Sequence, residues 1–231
     1  MLLDEDERRR VADAVARAES ATKGEIFCVV TPDSGDYRET PLAAAAFAAL
    51  AAPVLLLAGG IQVTAPAFIQ GGWTANAVGA AAGAAAREAV MGVILLQVFL
   101  FLLVLMLAWL PPVRRLLTPA SLKRERVRRR AYEQFLARNL QATRERTGIL
   151  IFVSEWERMA ELIADEGVAS RVEPGVWDEA MARLVTGLKS GRPAEGFEAA
   201  VALCGEVLTE HFPLGEGDNP NELSDHVIVI R

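Results

Sequence analysis

Residues 18–30 read AESATKGEIFCVV and residues 142–154 read ATRERTGILIFVS. Each segment runs from a helix end, through a turn containing Thr and Gly, into an apolar strand rich in β-branched residues. Glycine just past a helix takes a left-handed conformation at little cost, so Gly24 and Gly148 are expected to turn the chain there. Two such units joined by a long helical segment predict a layered α/β domain. Working outward, Asp4 with Glu7 three residues on is the spacing of a capping box. Val11, Ala14, Val15 and Ala18 recur behind it at helical spacing. Past Pro119 the pattern predicts a helix to Arg146 with Leu122, Tyr132, Phe135, Leu136 and Leu140 on its apolar face. Residues 159–165, MAELIAD, follow the second strand through Ser154-Glu155-Trp156-Glu157 and read as the return arm of a hairpin. Helices are predicted over 176–189, stopped by Gly191, and over 194–211, stopped by Pro213. The tail, GEGDNPNELSDHVIVIR, holds a polar loop and a last strand.

Between the two units lies the least polar part of the chain. Between Glu39 and Arg114 the only charged residues are Arg87 and Glu88, neighbours that are expected to mark the outer interface. Residues 42–62 and 89–110 are each long enough to cross a hydrocarbon core of about 30 Å. Residues 41–112 are therefore expected to form a two-helix transmembrane hairpin. Its connection carries Pro66, Gly71-Gly72 and Trp73, an aromatic suited to the interface. Gly79 and Gly83 read either as a small-residue pair that lets helices approach closely or as part of an alanine-rich run of low complexity. Both ends of such a hairpin emerge on one side, so residues 1–40 and 118–231 can close around it as one discontinuous domain.

Residues 113–130 form a basic juxtamembrane collar: eight basic residues against one Glu, in a chain whose overall charge is −6. The uncharged connection and the basic collar together place both termini in the cytoplasm, with the spans in the cytoplasmic (inner) membrane. Arg114, Arg115, Lys123, Arg124, Arg126, Arg128, Arg129 and Arg130 are the candidate lipid-headgroup contacts. The acidic remainder repels a phosphate backbone, so nucleic acid is not an expected partner. Membrane lipid, other membrane proteins and a second copy of the chain are. The amino terminus, MLLDEDERRR, lacks the apolar core of a cleavable signal. Cys28 and Cys204 each stand in an apolar run and read as buried, reduced thiols.

Four stretches in fixed order, AESATKGEIFCVV, RTGILIFVSEWERMAELIADEGV, GRPAEGFEAAVALCGEVLTEHFP and NELSDHVIVI, resemble the TPM-domain family, in particular its bacterial membrane-embedded branch. With the intervening helix they cover most of the soluble portion. The resemblance implies a TPM-like layered α/β sandwich with a central mixed sheet. It also raises phosphatase activity, which has been reported for thylakoid-lumen relatives linked to photosystem repair.

The residues themselves carry no phosphatase signature. Cys-x5-Arg, Gly-x-Ser-x-Gly and a phosphate-cradling glycine loop ending in Lys are all missing from the sequence. His211 sits where a helix C-terminal dipole accounts for it, His226 reads as solvated, and no residue is assigned a catalytic role. What remains is carboxylate chemistry. Asp165 and Glu166 follow a strand end, where α/β ligand crevices lie, and Glu222 and Asp225 precede the last apolar run. Hard cations take several oxygen ligands, so these four are the candidate ligands for calcium or magnesium. The expected function is a membrane-anchored scaffold, assembly or quality-control factor, and the alternative is a metal-dependent phosphatase acting on phosphate esters. The expected topology is checked by placing a cysteine between Thr31 and Tyr37. It should react with a membrane-impermeant thiol reagent only after the cells are permeabilised; labelling in intact cells overturns the orientation.

Overall fold

The Asp4 side chain accepts from the Glu7 N–H at 2.8 Å and the Glu7 side chain accepts from the Asp4 N–H at 2.9 Å, a reciprocal cap that opens α1 (Glu5–Glu19). The computed structural model describes residues 2–60, 78–140, 143, 146–214 and 227–230, with residues 78–86 and 174 described by their backbone alone. In chain order α1 is followed by β1 (Glu25–Thr31), α2 (Glu39–Ala58), α3 (Val78–Ala108), α4 (Pro111–Leu117) and α5 (Ala120–Ala137). Then come β2 (Gly148–Ser154), β3 (Met159–Ala164), α6 (Glu166–Ala169), α7 (Pro174–Lys189), α8 (Pro193–His211) and β4 (Ile228–Val229). The chain divides into two compact units, Met1–Asp36 with Ala120–Arg231, and Tyr37–Pro119.

The first unit is an α/β fold on a four-stranded mixed sheet of order β3-β2-β1-β4. β1 runs parallel to β2, with Glu25 opposite Gly148 and Thr31 opposite Ser154. β1 is also parallel to β4, and β2 pairs antiparallel with β3. Side chains alternate across a strand, so Ile26, Cys28 and Val30 share one face with Ile149, Ile151 and Val153. There they meet Val11 and Val15 of α1, Leu184 of α7, and Phe197, Val201 and Leu208 of α8. Phe27, Val29, Leu150 and Phe152 point the other way, onto Val127, Ala131 and Phe135 of α5. Every residue of β1 and β2 is buried, which explains why both read as unbroken apolar runs.

The structure shifts several sequence expectations. α1 stops at Glu19, ahead of the Lys23-Gly24 signal, and α5 stops at Ala137, well short of Arg146. Neither Gly24 nor Gly148 has a positive φ. The left-handed positions around these turns are Asn139 at φ 56° and Arg146 at φ 55°. The two glycines are required by close approach instead: a Cβ on Gly148 would lie 2.8 Å from the Leu140 carbonyl oxygen, and one on Gly24 would lie 2.6 Å from Leu208 Cδ2. Gly191, at φ 72°, does end α7 in the left-handed manner expected of it. On α5 the buried stripe is Val127, Ala131 and Phe135, while Tyr132 and Leu136 face outward.

In the second unit α2 and α3 pack along each other. Glu39–Ala58 and Arg87–Ala108 are long and apolar enough to cross a membrane, with mean hydropathies of 2.2 and 3.0. They are not the buried helices of a soluble core: Phe47, Leu57, Phe99 and Leu102 are all exposed. Gly79 and Gly83 fall in the first turns of α3, whereas Pro66, Gly71, Gly72 and Trp73 lie outside the described residues.

α7 and α8 cross where Gly187 meets Gly196, and a Cβ on Gly187 would stand 2.4 Å from the Gly196 Cα. Gly187→Ala should therefore destabilise the fold by about 1–3 kcal/mol through overpacking. Gly175 lies in the first turn of the same helix with nothing within 4 Å of its would-be Cβ. Gly175→Ala should stabilise by about 0.4–1 kcal/mol, because it restricts the unfolded chain. Thermal unfolding of the two variants in detergent, shifting in opposite directions, checks the crossing.

Candidate functional site

In open α/β sheets, ligand crevices lie beyond the carboxyl ends of the parallel strands. Here that edge is built by residues 32–36 after β1 and by the Ser154-Glu155-Trp156-Glu157 turn after β2. The turn extends the parallel pairing: Glu155 N–H donates to the Thr31 carbonyl at 3.0 Å and Trp156 N–H to the Pro32 carbonyl at 2.9 Å. The Thr31 hydroxyl donates to the Asp33 carbonyl at 2.7 Å. Glu157, only 3% exposed, anchors the centre. One of its oxygens accepts from the Ser34 N–H at 2.9 Å and the other from the Ser154 hydroxyl. From α5 the Arg126 guanidinium donates to the Asp36 carbonyl.

Above this framework lies a polar cavity of about 240 Å³ lined by Asp33, Ser34, Gly35, Asp36, Arg129, Arg130 and Glu133. It is smaller than the roughly 300–1,000 Å³ typical of ligand pockets. Its charges are largely matched from within, Glu133 lying 3.1 Å from Arg130 and 3.9 Å from Arg129. Ser34 Oγ is buried there with no hydrogen-bond partner among the described residues. A wider open groove of about 960 Å³ runs between α1 and α8. Its floor is Ala14, Ala18, Ala199, Ala202 and Gly205, and its rim carries Arg17, Glu195, Glu198, Glu206 and Glu210.

Asp165 and Glu166 sit at the opposite end of the sheet. They do follow the end of β3, but β3 is antiparallel, so its end lies beside the start of β2: Asp165 N–H donates to the Gly148 carbonyl at 2.9 Å. Asp165 caps α6 by accepting from the Glu166 N–H at 2.7 Å. Arg146 reaches both carboxylates, 3.1 Å from Asp165 Oδ1 and 2.6 Å from Glu166 Oε2. Its pKa is raised, first by the hydrogen bond to Asp165 and then by that carboxylate's charge. Asp165 Oδ2 is buried with no hydrogen-bond partner among the described residues. Glu222, Asp225 and His226 lie outside the described residues, among which no group of three or more His, Cys, Asp or Glu is arranged to hold a metal ion.

No family model matches the chain, and no curated protein matches it. Its fold is similar to that of BA42. The NMR structure of that protein, from the psychrophilic bacterium Bizionia argentinensis, aligns with a TM-score of 0.54 at 15% identity. The alignment covers 98% of this chain and 94% of the BA42 chain. At that identity the likeness to BA42 concerns the fold alone.

Of the basic collar, Arg114 and Arg115 belong to α4 and the other six residues to α5. Arg126 is turned back onto Asp36, Arg130 pairs with Glu133, and Arg128 stacks over the Tyr132 ring at 5.8 Å. Cys28 and Cys204 are buried in one core, where desolvation pushes both thiols well above their ordinary range and leaves them unreactive. Glu157 was not distinguished by sequence reading. Its only signal was an acidic residue in the turn between two apolar strands, which reads as solvated. Glu157→Ala should strand the Ser34 N–H and the Ser154 hydroxyl, at about 1–3 kcal/mol for each buried group left without a partner. Hydrogen exchange should then accelerate at the Ser34 amide, whereas Glu157→Gln, which can still accept, should exchange more slowly than the alanine variant.

Proposed function

We propose that this chain is a membrane-anchored, TPM-like protein of the bacterial membrane-embedded branch, acting as a scaffold, assembly or quality-control factor at the cytoplasmic membrane. The observation that carries this reading is the position of the apolar unit. Two helices with outward-facing Phe47, Leu57, Phe99 and Leu102 are spliced between β1 and α5 of one α/β unit. A tether at a terminus could be lost without disturbing the fold. A hairpin inside the sheet's crossover makes membrane attachment inseparable from the folded unit, as suits a module whose task is to hold something at the bilayer. On this reading residues 41–112 are the transmembrane hairpin, and 1–40 with 118–231 form the cytoplasmic domain. Both termini are cytoplasmic, and the partners are lipid, other membrane proteins or a second copy.

The alternative, a metal-dependent phosphatase, would use Asp165, Glu166, Glu222 and Asp225. The geometry favours the scaffold because Arg146 already supplies positive charge to the first two. The test is photo-crosslinking from the full chain in its own membrane, combined with complementation of a deletion. The expected outcome is capture of another membrane protein, and no rescue by residues 1–40 and 118–231 joined by a short linker. Full rescue by that soluble version, with no membrane protein captured, sinks the proposal.

A further inference from the structure

α5 buries Val127, Ala131 and Phe135 against the sheet, and this leaves Tyr132 44% and Leu136 56% exposed on its outer side. Single exposed apolar residues need no explanation. These two are one turn apart, and the turns preceding them carry Arg128 and Arg124, both exposed. The stripe therefore passes from basic to apolar along one side of the helix, with Arg128 stacked on the Tyr132 ring. Arg129 and Glu125, also exposed, border it, and Arg129 lies 3.9 Å from Glu133. α5 as a whole has six basic residues against Glu125 and Glu133.

Basic side chains interleaved with outward aromatic and aliphatic groups suit a surface that is anionic outside and apolar just beneath. A nucleic acid or a purely acidic protein face would satisfy the arginines and leave Leu136 in water. The chain also keeps such a surface within reach. Only residues 109–119 separate the end of α3 from the start of α5, and seven of them are the helix α4. Helical rise and extended reach limit that connection to roughly 25–30 Å.

We propose that the outward face of α5, carried by Arg124, Arg128, Arg129, Tyr132 and Leu136, lies on the anionic headgroup layer of the bilayer. The inference rests on the reading above that α2 and α3 cross that bilayer. It assigns Tyr132 and Leu136 to the acyl boundary and the three arginines to lipid phosphates. Arg126 and Arg130 are left to their closer contacts within the fold, and Arg129 keeps Glu133 3.9 Å away beside it. Three arginines near an anionic surface shift the docked equilibrium by roughly 100-fold.

The test uses the full chain in nanodiscs of phosphatidylcholine alone or mixed with phosphatidylglycerol, with a nitroxide attached at Leu136→Cys. Cys28 and Cys204 are buried, so the label goes to the new site. Ala182→Cys, on the exposed side of α7, is the control. With phosphatidylglycerol present, the label at 136 should gain oxygen contact and lose access to a water-soluble nickel chelate severalfold, while the label at 182 stays unchanged. Molar salt, which shortens the screening length to about 3 Å, should reverse the protection, as should Arg124→Gln/Arg128→Gln/Arg129→Gln. Discs that retain the chain while 136 stays as water-accessible as 182 overturn the inference alone. Protection equal in both lipids points to a second copy or another protein over α5, and also overturns it. A chain that does not enter the discs overturns the membrane-crossing reading, and this inference falls with it.

Discussion

The parallel pairing of β1 with β2, from Glu25 opposite Gly148 to Thr31 opposite Ser154, closes over a whole second compact unit. Parallel strands cannot be joined by a tight turn and always need a crossover. Here the crossover contains α5, which covers one face of the sheet, and also residues 37–119. Chain closure costs grow only with the logarithm of length. Lengthening the crossover from the 33 residues of the first unit alone to 116 therefore adds about 1 kcal/mol. The strands it joins are buried along their entire length on both faces. Burial of that many Ile, Val, Leu and Phe side chains, at roughly 1.5–3 kcal/mol each, exceeds the closure term many times over. The consequence falls on rate: contacts this distant in sequence form slowly.

The parts of this fold that were legible in the sequence are those whose signal is local. β-branched apolar runs marked β1 and β2, the Asp4–Glu7 spacing marked α1, and Gly191 marked the end of α7, each through chemistry confined to a few residues. The misreadings came where a third element decides. Gly24 and Gly148 looked like left-handed turn residues, yet what excludes a side chain from them is Leu208 and Leu140, neither adjacent in sequence. Tyr132 and Leu136 fit an apolar helical face, but the sheet beneath α5 accepts only the stripe through Val127, Ala131 and Phe135. Asp165 follows a strand, and only the antiparallel direction of β3 shows that this strand end lies at the edge opposite the usual crevice.

The same sheet separates the charge of the unit. Among the described residues α5, with six basic residues against two acidic, covers one face, while α1, α7 and α8 cover the other. On that second side Glu195, Glu198, Glu206 and Glu210 border the groove of small residues between α1 and α8. The net charge of −6, taken over the whole chain, therefore describes neither face. An anionic surface would attract the α5 side and repel the α1–α8 side, and so would orient the unit against it.

An insertion is tolerated best when its two ends leave the host close together, since the host then folds without waiting for the insert to take a particular span. The hydrogen bond from Arg126 to the Asp36 carbonyl bears on this. Asp36 is the last residue before the inserted unit and Ala120 the first after it. Arg126 lies six residues into α5, about 9 Å along the helix from Ala120. Arg126 therefore holds the exit of the chain near its re-entry, and Glu157 holds the same loop from below through Ser34. A Cβ on Gly35 would come within 3.0 Å of Arg126 Cδ, which fits a glycine at the point of closest approach. One basic residue of the collar thus serves the fold: Arg126 ties α5 to Asp36, the residue after which the second unit is inserted.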